Sequence, residues 1–340
     1  MTAAAMRALS PAARVTSDLP PEYVVLGRAA SENFPVASRL LPASVRSDLM
    51  ALYGWARLVD QIGDDYAGDR MAALDEVERQ LRLALRLGPR PGDHSPAVAS
   101  PDDPFAYDMV HPLVKTMAET VRRLDLPTEP LFDLVQANRQ DQVVSRYETF
   151  EDLVGYCRLS ANPVGRMVLA IFGVATPQRD AWSDSTCTAL QLVEHWQDVA
   201  EDALVGRVYL PLADMRRFGV SVEELVPPPT GYVDRRRRGA AGGASSACRA
   251  LLAFEAARAR RMLGDGAPLM ASVRGRLRLA LAGFTAGGHA ALDGLAAVDF
   301  DIYAEPSRPT TTRFGAHLAR LVRDAYRSAA PVPPAQGEAP

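Results

Sequence analysis

The sequence of 340 residues has few of the residues that build disulfide frameworks or zinc sites. Its cysteines are Cys157, Cys187 and Cys248. Their number is odd, their spacing is wide and they form no CxxC pair, so we expect neither a disulfide framework nor structural zinc. Reduced thiols of this kind are typical of a cytoplasmic protein. The sequence also lacks a GxGxxG or GxxxxGK[ST] loop, which disfavours a Rossmann or P-loop enzyme.

Long apolar runs and strong positive charge are also missing. The first twenty residues lack the apolar core of a signal peptide. The longest strongly apolar run, Met167 to Ala175, is shorter than the roughly 20 residues that span a bilayer. We therefore expect a soluble chain, for which peripheral contact with a membrane stays open. The formal net charge of −3 disfavours a dedicated nucleic-acid binder.

Apolar residues recur at three- and four-residue spacing through most of the chain, which is the pattern of helices that bury one face. This spacing predicts helices over 47–65, 71–87, 111–124, 131–147, 150–172, 186–205, 247–263 and 272–298. No alternating pattern typical of a strand is convincing, so the predicted fold class is all-α.

Four stretches rich in proline, glycine and alanine lack this periodicity. We predict flexible tails at residues 1–20 and 326–340, and surface loops at 89–104 and 227–243. Length alone allows one domain or two.

The predicted helix 47–65 carries a polar stripe. At about 100° per residue, Tyr53, Arg57 and Asp64 lie within roughly 60° of Asp60. Trp55 falls on the opposite side and is expected in the core, while Gln61 lies at the edge of the stripe.

The predicted helix 186–205 carries a second stripe, which is acidic over three turns. Its members are Gln191, Glu194, His195, Asp198, Glu201 and Asp202, and Trp196 points away from them. Because no cysteine or second histidine accompanies His195, we expect a structural histidine there and not a zinc ligand.

Each stripe contains two aspartates four residues apart. Such like-charged pairs oppose helix formation by roughly 0.2–0.5 kcal/mol, a cost that a bridging cation reverses. Magnesium commonly takes one or two carboxylates together with substrate phosphate oxygens. Two such faces pointing across one cavity would hold a magnesium–diphosphate cluster. Either pair alone is also consistent with a solvated acidic face.

Taken together, these motifs resemble the squalene/phytoene synthase family. Besides the two aspartate faces, the resemblance rests on SENFPVASRLLP (31–42), ANRQDQ (137–142), YCRLSANPVG (156–165) and GRVYLP (206–211). It covers roughly residues 23–320 and implies an isoprenoid-synthase-type helical bundle around a central cavity. It further implies a single domain over residues 21–325 and Mg²⁺ as the metal.

The resemblance also implies roles for particular residues. The magnesium carboxylates would be Asp60, Asp64, Asp198 and Asp202. The diphosphate would be contacted by Tyr53, Arg57, Ser31 and Asn33, with Gln191 and Glu194 beside the second aspartate pair. The cavity near the reacting carbons would be lined by Tyr156, Ala161 and Gly165, and the aromatic faces of Tyr156 and Phe34 would stabilise a carbocation.

Within the family, ENFPVA, ANRQDQ, SANPVG and HWQDVAED are most similar to the hydroxysqualene synthases of hopanoid biosynthesis. In that reaction presqualene diphosphate ionises and water captures the cation, so no NADPH is expected. Asn138 to Asp141, together with Asn162, are candidates for placing that water, and hydrogen bonding between helices is the alternative for these residues. Other enzymes of the same pathway are possible partners.

One departure leaves the reaction open. The family's first motif usually reads DDxxD, and Gln61 replaces its second aspartate here. Alternatives are therefore transfer of a short prenyl group to an aromatic acceptor, head-to-head condensation of farnesyl diphosphate, and a helical scaffold with a degenerate site.

Overall fold

The computed structural model describes residues 19–27, 41–88, 107–227, 243–304 and 311–328. Within these ranges the chain is helical, and the single strand-like feature is an isolated parallel bridge between Arg146 and Val208. The all-α prediction is therefore confirmed. The predicted loop 89–104, most of the loop 227–243, and most of both tails lie outside the described residues. None of the described helices is long and apolar enough to cross a membrane.

Fourteen helices lie within the described ranges. In chain order they are α1 (Glu22–Gly27), α2 (Ala43–Asp65), α3 (Arg70–Ala84), α4 (Pro112–Leu124), α5 (Glu129–Asp141), α6 (Phe150–Ser160), α7 (Asn162–Ile171), α8 (Pro177–Gln197), α9 (Val199–Leu204), α10 (Leu212–Phe218), α11 (Ser246–Asp265), α12 (Pro268–Ser272), α13 (Gly275–Ala297) and α14 (Thr311–Ser328). A 3₁₀ turn, Glu223–Leu225, follows α10.

Three predicted helices differ from the observed ones. The predicted helix 131–147 ends at Asp141, because Arg146 joins the bridge to Val208 and the Tyr147 carbonyl accepts from the Leu212 amide at 3.0 Å. The predicted helix 150–172 is interrupted at Ala161, since Pro163 suits the first turn of a new helix and not a helix interior. The predicted helix 186–205 begins earlier, at Pro177, and is interrupted at Asp198.

The described chain divides into two compact units, residues 1–145 with 154–175, and residues 146–153 with 176–340. In the first unit α2 is the central element, and it packs against α1, α3, α4, α5 and α7. Trp55, Leu58 and Ile62 on its apolar face are fully buried, as expected for Trp55.

An ion-pair network that is buried at Arg139 and Glu78 and exposed at Asp75 fixes α5 against α3 in this unit. The Arg139 guanidinium contacts Glu78 and Asp75 at 2.6 Å each, and Arg82 contacts Glu78 at 2.9 Å. Burial opposes ionisation of Glu78, but the hydrogen bonds from Arg139 and Arg82 hold its pKa below the usual range. Arg139 of the ANRQDQ segment thus orients the helix that presents Asn138 and Asp141.

In the second unit α8 packs against α11 and α13, and α14 packs along α13. A buried charge cluster joins α10 to α11. Arg258 lies 4.4 Å from the ring centroids of both Phe150 and Phe254 and forms ion pairs with Asp214 and Glu255. Glu255 is fully buried, and burial raises its pKa to about 7 even though Arg258 opposes the shift.

Glu255 should make the protein less stable as pH rises. Because folding raises its pKa from 4.5 to about 7, the native state binds more protons than the unfolded state between these values. We expect the free energy of unfolding to fall over this range by on the order of 2–3 kcal/mol. Glu255→Gln should remove this part of the slope, which urea denaturation at pH 4.5 to 8 measures.

The matched control is Glu119→Gln, which alters an exposed glutamate on α4 and should keep the wild-type slope. If Glu255→Gln left the pH dependence of the free energy of unfolding unchanged, Glu255 would not be protonated in the native state.

Candidate functional site

The first polar stripe runs along α2 from the protein interior to its surface. Tyr53 is buried, Arg57 and Asp60 are half-buried, and Asp64 is exposed. Since α2 is unbroken from Ala43 to Asp65, these residues share one face, as helix geometry requires. Gln61 is half-buried and lines a separate surface cavity of about 480 Å³ at the end of α2.

Asp60 lies against α5. The side-chain amide of Asn138 donates a hydrogen bond to Asp60 Oδ1 at 3.2 Å and another to the Leu134 carbonyl at 3.1 Å. Burial raises the pKa of Asp60 to about 6; the Asn138 bond opposes this shift, and Asp64 adds to it. A nearby cation would favour the charged carboxylate, so this position suits a metal ligand.

The next turn of α5 presents Asp141 to Tyr156 of α6. The Tyr156 hydroxyl donates to Asp141 Oδ2 at 2.7 Å, and its ring is buried. Asp60, Asn138, Asp141 and Tyr156 therefore lie in one neighbourhood, where each asparagine or tyrosine donor meets a carboxylate.

Gly63 is a structurally important residue that our sequence reasoning missed. A Cβ atom at Gly63 would lie 2.0 Å from Asn138 Oδ1, so only glycine allows this asparagine to approach α2. The Gln142 side chain donates to the carbonyls of Gly63 and Asn138, at 3.0 Å each. The available signal was a glycine inside a helix, between two aspartates, where it costs roughly 1 kcal/mol relative to alanine.

The predicted cavity residues of α7 lie where the helix begins. Asn162 is 2% exposed, and Ala161 and Gly165 are half-buried. Ala161 is the residue at which α6 and α7 separate. Ser31, Asn33 and Phe34 lie outside the described residues, so their roles stay predictions.

The second stripe does not lie on one continuous helix, as our helical-wheel reasoning assumed. Asp198 closes α8 and opens α9, with backbone angles φ −106° and ψ 11°. The Asp202 amide still donates to the Asp198 carbonyl at 2.8 Å, which keeps the two aspartates one turn apart. Burial and the charge of Glu201 raise the pKa of Asp198. Gln191 and Asp202 are half-buried, while Glu194 and Asp198 are exposed.

His195 has a structural position behind this stripe. Its ring stacks on Tyr209 of the GRVYLP segment, with centroids 3.7 Å apart, and its Nε2 lies 3.2 Å from the Gln191 amide. Burial, with a smaller effect of Arg207, lowers the pKa of His195 to about 3. Gly206, at φ +81°, supplies the turn that returns the chain from α9 to Tyr209.

No group of three or more histidine, cysteine or acidic side chains within the described ranges is arranged to hold a metal. Each stripe instead offers a pair of aspartates. Paired carboxylates suit magnesium, which commonly completes its coordination with water and substrate phosphate oxygens.

Comparison with known proteins assigns the family. The squalene/phytoene synthase family model matches residues 27–315. The chain belongs to this family. Among solved structures, squalene synthase HpnC from Alicyclobacillus acidocaldarius is 34% identical, with a TM-score of 0.66 over 87% of this chain and 98% of its own. A dehydrosqualene synthase in complex with ligand shares the fold, with a TM-score of 0.69 at 20% identity over 94% and 100%.

Two kinds of family members are similar in sequence. Hydroxysqualene synthase of Zymomonas mobilis is 33% identical over 57% of this chain, and that of Rhodopseudomonas palustris is 32% identical over 72%. A 15-cis-phytoene synthase of Synechococcus elongatus is 31% identical over 61% of the chain. The match spans 59%, 72% and 65% of the length of these relatives, respectively.

Gly63→Ala should disrupt the contact between α2 and α5. The new methyl group overlaps Asn138, and overpacking of this kind typically costs about 1–3 kcal/mol. We expect chemical denaturation to show a lower free energy of unfolding, and the Gly63→Ala/Asn138→Ala double variant to recover part of the loss.

Gly155→Ala is the matched control, because a Cβ there meets no atom within 4 Å. It should leave stability unchanged or raise it by up to about 1 kcal/mol, in line with helix propensity. Equal stability of Gly63→Ala and Gly155→Ala would refute the contact.

Proposed function

We propose that this protein ionises a prenyl diphosphate with the help of magnesium, and that it converts presqualene diphosphate and water to hydroxysqualene and diphosphate. The observation that carries the ionisation is the stripe of α2, where Arg57 and two aspartates share a face with one aspartate held against Asn138. The similarity to hydroxysqualene synthases supports the choice of reaction.

Asp60, Asp64, Asp198 and Asp202 are the residues that would hold magnesium. When bound, the metal acts as a Lewis acid that stabilises negative charge on the leaving diphosphate. Arg57 adds a fixed positive charge for the same oxygens, and Tyr53 contributes a hydroxyl donor. Ser31 and Asn33 are proposed to assist in binding the diphosphate.

Asn138 is proposed to position Asp60. Its amide fixes Asp60 in one orientation, so the carboxylate is placed before substrate arrives. Preorganised groups of this kind cost no reorganisation during the reaction. Gly63 and Gln142 hold Asn138 in place, which makes them positioning residues.

Tyr156 is proposed to stabilise the carbocation. Its bond to Asp141 fixes the ring, and an aromatic face attracts positive charge. Asn138, Asp141 and the buried Asn162 supply polar groups that we propose orient the water that captures the cation.

Gln191 and Glu194 are proposed to lie beside the diphosphate, Ala161 and Gly165 beside the prenyl chain, and Phe34 beside the cation.

A head-to-head condensation is the second candidate, favoured by the comparable similarity to the 15-cis-phytoene synthase. Transfer to an aromatic acceptor is the third, and it rests on Gln61. An amide at this position both donates and accepts hydrogen bonds, whereas a carboxylate only accepts them.

The reaction is tested with purified full-length protein, Mg²⁺ and presqualene diphosphate, without a reductant, and with products identified by mass spectrometry. We expect hydroxysqualene and diphosphate. Asp60→Asn and Asp198→Asn should each lower kcat by at least about 100-fold, since each removes a charged metal ligand. Their remaining activity should require more Mg²⁺.

Asp65→Asn is the control, because Asp65 is exposed at the end of α2 and has no role in the proposal. It should retain wild-type kcat and Mg²⁺ dependence. Farnesyl diphosphate alone, and dimethylallyl diphosphate with aromatic acceptors, form the other arms of the assay. A product only in one of those arms would refute the hydroxysqualene reaction and identify the alternative, while unchanged turnover in Asp198→Asn would refute the metal site.

A further inference from the structure

The helix α14 carries a regular row of arginines. Arg313, Arg320 and Arg327 recur every seven residues, and Arg323 lies beside them. At about 100° per residue the four lie within roughly 80° of one another, over a length of about 21 Å. All four are exposed, with Arg320 and Arg323 at 61% and 57%. We call this row the arginine stripe.

The opposite face of α14 holds the helix in place. Leu321 and Ala325 are buried in a cluster with Met270 of α12 and Ala282 and Ala286 of α13. His317 adds a contact of 2.7 Å to Asp293 and stacks on His289, with ring centroids 5.2 Å apart. The arginine stripe is therefore presented by a helix that is already packed on the protein.

The start of α13 extends the positive surface. The Arg278 guanidinium lies 4.6 Å from the ring centroid of Tyr326, which places the first turn of α13 beside the end of α14. Arg274 and Arg276, which flank the start of α13, are both exposed.

Acidic residues are nearly absent from these two segments. Residues 266–292 contain none, and α14 contains only Asp324, which lies 3.3 Å from Arg323 and 3.9 Å from Arg320. The two segments together carry seven arginines and one acidic residue, although the whole chain has a net charge of −3. Positive charge is thus concentrated in these two segments, whereas the chain as a whole is slightly negative.

Two large side chains of these two segments are exposed. Tyr326 is 63% exposed and Leu279 is 41% exposed. Aromatic and aliphatic side chains next to basic ones are typical of helices that lie at a membrane interface, where the apolar groups enter the acyl boundary and the cations meet lipid phosphates.

We propose that the arginine stripe, with Arg274, Arg276, Leu279 and Tyr326, is a docking surface for an anionic lipid bilayer. Charge complementarity identifies the partner as a polyanionic surface, and the exposed Leu279 favours a bilayer over a nucleic acid. The proposal is independent of the reaction that the protein catalyses.

Vesicle co-flotation of the full-length protein tests it. Vesicles of phosphatidylcholine alone are compared with vesicles containing 30 mol% phosphatidylglycerol, a composition chosen as about one third anionic lipid. We expect binding to the anionic vesicles only, and a strong decrease in about 0.5 M salt, where charges are screened within a few ångströms. The variant Arg320→Gln/Arg323→Gln/Arg327→Gln should bind about 100-fold more weakly, because each arginine near such a surface contributes roughly fivefold.

The matched control is Arg46→Gln/Arg158→Gln/Arg261→Gln, which removes the same charge from exposed arginines elsewhere. It should bind like the wild type, and thermal unfolding should show that both triple variants are folded. Leu279→Ser keeps the charge and should weaken binding by a few-fold. Equal binding to neutral vesicles, equal loss in both triple variants, or tighter binding to duplex DNA than to anionic vesicles would overturn the proposal.

Discussion

The close approach of Asn138 to α2 is the contact on which the position of Asp60 depends. The amide reaches Asp60 only because Gly63 leaves room for its oxygen, at a position where a Cβ atom would lie 2.0 Å away. The cost of a helical glycine is small, roughly 1 kcal/mol. The contact fixes the orientation of the Asp60 carboxylate and the register of α5 against α2. The ion pairs of Arg139 with α3 stabilise the same register from the other side of α5.

In the polar stripe of α2, the stability of the fold and the proposed chemistry oppose each other. Burial makes the charged form of Asp60 unfavourable, and the neighbouring Asp64 adds repulsion. A protein selected only for stability would place an apolar or basic residue there. The strain is modest, because the stripe emerges into solvent at Asp64 and the Asn138 amide stabilises the Asp60 charge. A divalent cation would relieve both effects, so the features that disfavour the charged carboxylates also favour cation binding.

Helix periodicity was sufficient to predict the α2 stripe and the buried face of Trp55, because both depend only on angles within one helix. The contact of Gly63 with Asn138 joins residues 75 positions apart and has no local pattern. The break at Asp198 was also missed, since EHWQDVAED reads as one helix and the interruption leaves the one-turn spacing of the aspartates intact. The helix α14 was missed for a different reason. Its amphipathic pattern is strong, but the predicted C-terminal tail 326–340 overlapped its last three residues, and the packing of Leu321 and Ala325 against α13 is a long-range contact with no local signal.

The two aspartate pairs have the same one-turn spacing but different local structures. Asp60 and Asp64 lie on a straight helix and are positioned from outside by α5, whereas Asp198 lies at a junction where its own backbone turns. At that junction the following segment supplies the support: Gly206 reverses the chain, the Arg207 amide donates to the Asp202 carbonyl at 2.9 Å, and Tyr209 stacks on His195. Because burial keeps His195 neutral, this stack adds no positive charge that would compete with a metal for the nearby carboxylates. The GRVYLP segment is therefore best understood as the support of the second aspartate pair, which explains in physical terms why a glycine, an aromatic residue and a turn follow the acidic motif.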